Sequence, residues 1–171
     1  MKITINVFLA AIVASTTICS VAGFARAGTA DEAEIKALEA RFVKALEAKD
    51  VDAIMANYVP GDSLLVFDLL PPRQYVGSDA YKKDWQGFLA SCQGPLKVEM
   101  TDVSVVADGK LGYGHNIQRL RCATANGTAM DITTRVTDGY QKHGGKWLIV
   151  HEHVSVPVDL ATGKPDLNSK P

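Results

Sequence analysis

Thr137-Asp138-Gly139-Tyr140-Gln141-Lys142-His143-Gly144-Gly145-Lys146-Trp147-Leu148-Ile149-Val150-His151-Glu152-His153-Val154-Ser155-Val156-Pro157 reads as two strands joined at the Gly144-Gly145 turn. Alternation along the second arm puts Leu148, Val150, Glu152, Val154 and Val156 on one face. Trp147, Ile149, His151, His153 and Ser155 share the other. The aliphatic face is expected to turn inward. Asn126-Gly127 and Asp108-Gly109 are two further turns upstream. Together they predict strands over Leu96–Val106, Leu111–Cys122, Thr128–Lys142 and Lys146–Val156, an antiparallel meander. If the facing holds across the hairpins, Asn116, Gln118, Thr134, Asp138 and Glu152 point inward, with Gly112 and Gly114 leaving room beside them.

Helical spacing precedes the strands. Thr29-Ala30-Asp31-Glu32 matches a capping box, with Asp31 as a competing cap. Ile35, Leu38, Phe42, Ala45 and Leu46 then form one stripe, with Glu34, Lys36, Glu39 and Lys44 on other faces. A short helix is expected over Val51–Tyr58, capped by Asp50 or Asp52, followed by the turn Pro60-Gly61-Asp62. Leu64–Asp68 reads as a short strand ending in an acid, and Gln74–Val76 as another. Gly77-Ser78 opens a third helix, about Asp79–Ala90, with Tyr81, Trp85 and Phe88 or Leu89 inside. Helices first and long strands afterwards is an α+β pattern.

The termini are read separately. Lys2, the apolar run Ile3–Val21 and the small residues of Ala25-Arg26-Ala27 match a signal peptide over residues 1–27, cleaved before Gly28. The competing readings are an uncleaved anchor and a lipoprotein through Cys19. The folded domain is expected over 28–157, with 158–171 a poorly ordered polar tail. Formal net charge is −1, which offers nothing to nucleic acid or an anionic membrane. A short leader with little charge points to a bacterial periplasm, with no stable membrane association after cleavage.

Two cysteines follow the leader. Pairing outward from Asp108-Gly109 sets Cys122 opposite Pro95, about three residues from Cys92, and Gly94-Pro95 is placed to bend the chain across that gap. An oxidising compartment permits the Cys92–Cys122 bridge. The alternative is two buried thiols. Redox CxxC spacing is absent, and two cysteines alone make no zinc site.

The order of elements, with Phe67-Asp68, Gly77-Ser78 and Gly145-Lys146-Trp147 followed by His151–Pro157, resembles the SnoaL-like and ketosteroid isomerase-like proteins of the nuclear transport factor 2-like superfamily over Asp31–Pro157. The last hairpin is similar to the association domain of calcium/calmodulin-dependent kinase II. The resemblance implies a curved sheet wrapped around helices, a conical pocket, and a homodimer formed through the sheet. It also implies that Asp68 matches the isomerase aspartate, the base that moves a proton next to a carbonyl. Physically, a carboxylate at the rim of an apolar pocket loses hydration and gains proton affinity. The plain alternative is a strand-end acid capping its turn. Phe42 stands where the isomerase has its oxyanion tyrosine, and Thr133 and Thr134 stand near its second acid. The kinase domain's pocket arginines correspond to Asp138 and Val154, so the same anions are not favoured here.

Tyr58, Trp85, Asn116, Thr134, Asp138 and Glu152 are the expected ligand-binding residues, and Asp68 is the catalytic candidate. Asp138 and Glu152 suit a cationic or hydroxylated ligand, or are satisfied by neighbouring hydroxyls, amides or water. His151 and His153, with His115, invite a metal reading, but no third acidic or cysteine ligand shares their face, so neither metal nor cofactor is expected. Those histidines with Trp147, Tyr113 and Arg135 are expected at a subunit interface. Three functions compete: a binding module for a small apolar or amphipathic molecule, an enzyme using Asp68, and an assembly domain. The first is preferred, and whether the chain is an enzyme stays open.

Overall fold

The computed structural model describes residues 22–169, with side chains from Ala30 onward. The leader reading falls mainly on residues 1–21, outside the described residues. Helix α1 runs Ala22–Ala48 and so begins before the expected capping box. Asp31 is no cap: its Oδ1 accepts hydrogen bonds from Lys142 Nζ at 2.6 Å and Trp147 Nε1 at 3.3 Å. The stripe Ile35, Leu38, Phe42, Ala45 and Leu46 is buried as its spacing requires. Glu39, expected on an outer face, is also buried. It lies four residues after Ile35 and three before Phe42, on the same side of the helix.

Helix α2 (Val51–Met55) is capped by Asp50, which accepts from the Ala53 amide at 3.0 Å. It ends sooner than its pattern suggested because Asn57–Val59 leaves the helix to pair with Ile149. Strands β1 (Leu65–Phe67) and β2 (Tyr75–Val76) follow, then α3 (Ser78–Ser91). Ser78 does not cap α3; its Oγ accepts from the Gly61 amide and holds the preceding turn. The long strands are β3 (Cys92–Asp108), β4 (Leu111–Thr124), β5 (Ala129–His143) and β6 (Lys146–Ser155).

The fold is α+β, with N-terminal helices against one curved sheet of order β2-β1-β6-β5-β4-β3. The sheet is mixed rather than wholly antiparallel, because β1 lies parallel to β6, Val66 opposite Glu152. Curvature comes from register breaks in β3 at Gln93/Lys97 and Thr101/Ser104, and between β5 and β6 at Gly139/Tyr140. Cys122 faces the first break, and its disulfide to Cys92 spans a Cα–Cα distance of 5.6 Å.

The break in β6 corrects the expected facing. Gly139 pairs with His151 and Tyr140 with Ile149, so Val150 is an extra residue. Trp147 and Ile149 therefore enter the core, while Leu148 and Val150 are only half-buried; beyond the bulge Glu152 points inward as expected. Trp147 is thus unavailable to an outer interface. The tail also differs from expectation. Strands β7 (Val158–Asp159) and β8 (Lys164–Pro165) form a small hairpin, and Leu167 O accepts from the Thr133 amide at 2.8 Å. That bond is available because β6 pairs with β5 only as far as Ser155–Arg135, leaving the start of β5 an open edge. Among the described residues no helix is long and apolar enough to cross a membrane.

Candidate functional site: a lined pocket over buried carboxyls

Between α3 and the sheet lies a pocket of about 480 Å³. Its helix-side wall is aromatic. Phe42 comes from α1, and Tyr81, Trp85 and Phe88 recur along the inner side of α3 at helical spacing. Trp85 meets Phe42, Tyr81 and Phe88 at ring-centroid distances of 5.8, 5.6 and 5.8 Å. Such edge-on and tilted contacts fix ring orientation as well as burying area. Leu120, Met130, Ile132, Val136 and Val154 form the sheet-side wall. Polar atoms enter at Gln118, Thr134 and Glu152, and at the rim from Asp68, Lys83 and Asp84.

Of the expected site residues, Asp68, Trp85, Thr134 and Glu152 line this pocket. Tyr58, Asn116 and Asp138 are buried but do not line it. Tyr58 acts from below: its hydroxyl donates to Glu152 Oε2 at 2.7 Å, while Tyr81 donates to Oε1 at 2.5 Å. Asp138 pairs across the strands with Glu152. The room foreseen beside Gly112 and Gly114 is occupied. A Cβ on Gly114 would lie 3.1 Å from the Tyr140 hydroxyl and 2.9 Å from Ser104 O. Only glycine lets Tyr140 pack there.

Tyr140 joins the pocket base to a residue that the sequence reading had faced outward. Its hydroxyl donates to Glu39 Oε1 at 2.7 Å and lies 3.4 Å from Asp138 Oδ2. Carboxyls thus run from the rim inward: Asp84, Asp68, Glu152, Asp138 and, through Tyr140, Glu39. Asp84 was not foreseen, although it stands three residues after Tyr81 on α3. It accepts from Tyr75 Oη at 2.6 Å.

Among the described residues no lysine, arginine or histidine is buried beside these acids. Burial therefore favours their neutral forms. Glu152 is pushed up to about 7, chiefly by loss of hydration, against the opposing hydrogen bonds from Tyr81 and Tyr58. Asp138 is driven well above the carboxylate range by burial and by the charges of Glu152 and Glu39. Burial also raises Glu39, with the Tyr140 hydrogen bond opposing. Asp68 rises to about 7, first through burial and then through Glu152 and Asp84, with the Leu69 amide pulling the other way. That amide donates to Asp68 Oδ1 at 2.6 Å, so Asp68 caps its own turn as well as facing the pocket.

The His151 Nδ1 lies 2.9 Å from Leu65 O, and the imidazoles of His151 and His153 both sit edge-on to Phe67. Among the described residues no group of three potential ligands converges.

A model of the SnoaL-like domain matches residues 35–159. The chain belongs to the SnoaL-like family. A nuclear transport factor 2-like protein of unknown function from Pseudomonas putida is 33% identical, with a TM-score of 0.75 over 84% of this chain and 98% of that one. A nuclear transport factor 2-like superfamily protein from Salmonella enterica is 14% identical, with a TM-score of 0.70 over 81% and 99%. A candidate calcium/calmodulin-dependent protein kinase II association domain from Xanthomonas campestris is 21% identical, with a TM-score of 0.62 over 71% and 84%. The last two show the fold alone. Among curated proteins no sequence match is found. Within this SnoaL-like chain the ring of Phe42 forms pocket wall.

Proposed function

We propose that this protein is exported to the periplasm, assembles as a homodimer through its sheet, and binds a small apolar or amphipathic molecule in the cone. The carrying observation is the pocket itself: about 480 Å³, walled by aromatic and aliphatic side chains, with the Glu152 carboxyl at the base and those of Asp68 and Asp84 at the rim. A cavity of that size suits a small organic molecule, and sparse polar groups in an apolar wall set its orientation. Near neutral pH, Glu152 and Asp68 are poised between the acid and its anion, so each can accept a hydroxyl or amine hydrogen or donate to a carbonyl. The signal-peptide pattern supports export, and the Cys92–Cys122 bridge suits an oxidising compartment.

A second reading is favoured by Asp68 specifically. A carboxyl raised to about 7 in an apolar wall suits a general base for proton transfer, or for hydrolysis or dehydration. Phe42 supplies no oxyanion donor, which weighs toward binding without turnover. The test is a thermal-shift screen of small aromatic and hydroxylated metabolites, repeated with Asp68→Asn. Binding alone gives stabilisation by a ligand in both proteins and no product. Turnover lost in the variant with its fold intact would assign Asp68 a catalytic role. No stabilisation by any compound would refute the binding reading.

A further inference from the structure

A second depression, of about 460 Å³, opens beside the pocket. Asp68, Leu69, Leu70, Ile132 and Val154 line both. Its far wall is the C-terminal hairpin: Val158, Pro165 and Leu167. The tail is fastened there by backbone bonds, Thr133 N–H to Leu167 O at 2.8 Å and Asp166 N–H to Pro157 O at 2.9 Å. Leu167 is half-buried in a segment otherwise largely exposed.

We infer that the pocket and this groove form one elongated site for a molecule with two apolar ends and a hydroxyl or amine between them. One end enters the aromatic chamber and the other lies along the groove under Leu167. The middle passes Asp68, which stands at the junction of the two spaces. The inference rests on the binding reading above and adds to it the shape of the ligand and a role for the tail. The shared lining carries it: Asp68, Leu69, Leu70, Ile132 and Val154 face both spaces, so the two adjoin along these residues. The carboxyl belongs at the waist because the lining of the groove is otherwise apolar apart from Ser155.

The test uses uptake of the neutral dye N-phenylnaphthylamine, followed by displacement with the mid-chain secondary alcohols of hexane, decane and tetradecane. Each buried methylene strengthens binding about fourfold. Tetradecanol should then outcompete decanol by on the order of a hundredfold. Leu167→Asp puts a charge in the groove without touching the backbone bond to Thr133. It should abolish the groove's half of the gain from decanol to tetradecanol, about sixteenfold for two methylenes, while hexanol binds as before. Leu167→Ala, which adds no charge, should lose part of the gain and guards against undocking of the tail. Dye uptake with no gain beyond decanol, or a full gain kept in both variants, overturns the inference and leaves the chamber. Failure of the dye and all three alcohols to bind overturns the binding reading with it.

Discussion

Burial of Glu152 without a cation makes a prediction about stability and pH. Its carboxyl titrates at about 7 in the folded chain against 4.5 for the ordinary group. Between those values the folded state holds a proton that the unfolded state has released. The unfolding free energy therefore falls as pH rises. The stabilisation is fully present below the unfolded value and is lost through the folded one. At about 1.4 kcal/mol per pH unit, the shift of Glu152 corresponds to about 3 kcal/mol. Asp138, Glu39 and Asp68 are displaced in the same direction, so the slope should exceed that of one proton. Urea unfolding followed by tryptophan fluorescence from about pH 5 to about pH 8 measures it. The wild-type midpoint should drop steadily. Glu152→Gln keeps the side chain's shape and a partner for Tyr58 or Tyr81 but cannot ionise. Its slope should be shallower by about one proton, or about 1.4 kcal/mol per pH unit. A wild-type stability that is flat or rises over this range would refute the reasoning, because it would mean that these acids are ionised and compensated in the folded chain.

Two further predictions concern packing and covalent constraint. Gly114→Ala should destabilise by about 1–3 kcal/mol, because a methyl there meets the Ser104 carbonyl and the Tyr140 hydroxyl. Gly139→Ala, whose nearest new neighbour would be His151 Cβ at 3.5 Å, should cost far less; equal losses in denaturation midpoints would contradict that distinction. The Cys92–Cys122 bridge closes a sequence separation of 30, so replacing both cysteines by serine should cost about 3–4 kcal/mol. A thiol titration of unreduced, denatured 28–171 should find no free thiol.

Local patterns were legible and long-range pairing was not. The α1 stripe, the three glycine turns and the run of four strands follow from spacing and turn chemistry, and the cysteines were brought together by counting outward from Asp108-Gly109. The parallel β1–β6 pair joins segments far apart in sequence, with no turn between them to reveal the partner. Glu39 was placed outside because charge usually marks a solvated helix face, yet its positions relative to Ile35 and Phe42 put it on the buried stripe. The tail looked unstructured because its hairpin is short and polar; what holds it is the unpaired edge of β5, which no reading of the tail itself could reveal.

The single extra residue at Val150 explains why the core and the pocket base share one strand. In a regular strand Ile149 and Glu152, three apart, would face opposite ways. Because the bulge absorbs one position, Ile149 lies against Tyr140 and Glu152 against Asp138, both on the inner face. Ile149 also offers its amide to Asn57 O at 2.9 Å and its carbonyl to the Val59 amide at 2.8 Å. That bridge ends α2 and fixes Tyr58 between the two bonds, with its hydroxyl 2.7 Å from Glu152. Forcing Val150 into the ladder as a paired residue would therefore do more than shift a strand: it would turn the carboxyl out of the pocket and separate it from the tyrosine that α2 delivers. Deleting Val150 should accordingly leave ligand uptake intact, because Ile149 and Glu152 then stand two apart on one face of a regular strand and keep Tyr140 and Asp138 as partners; loss of uptake with the sheet still formed would refute this account of the bulge.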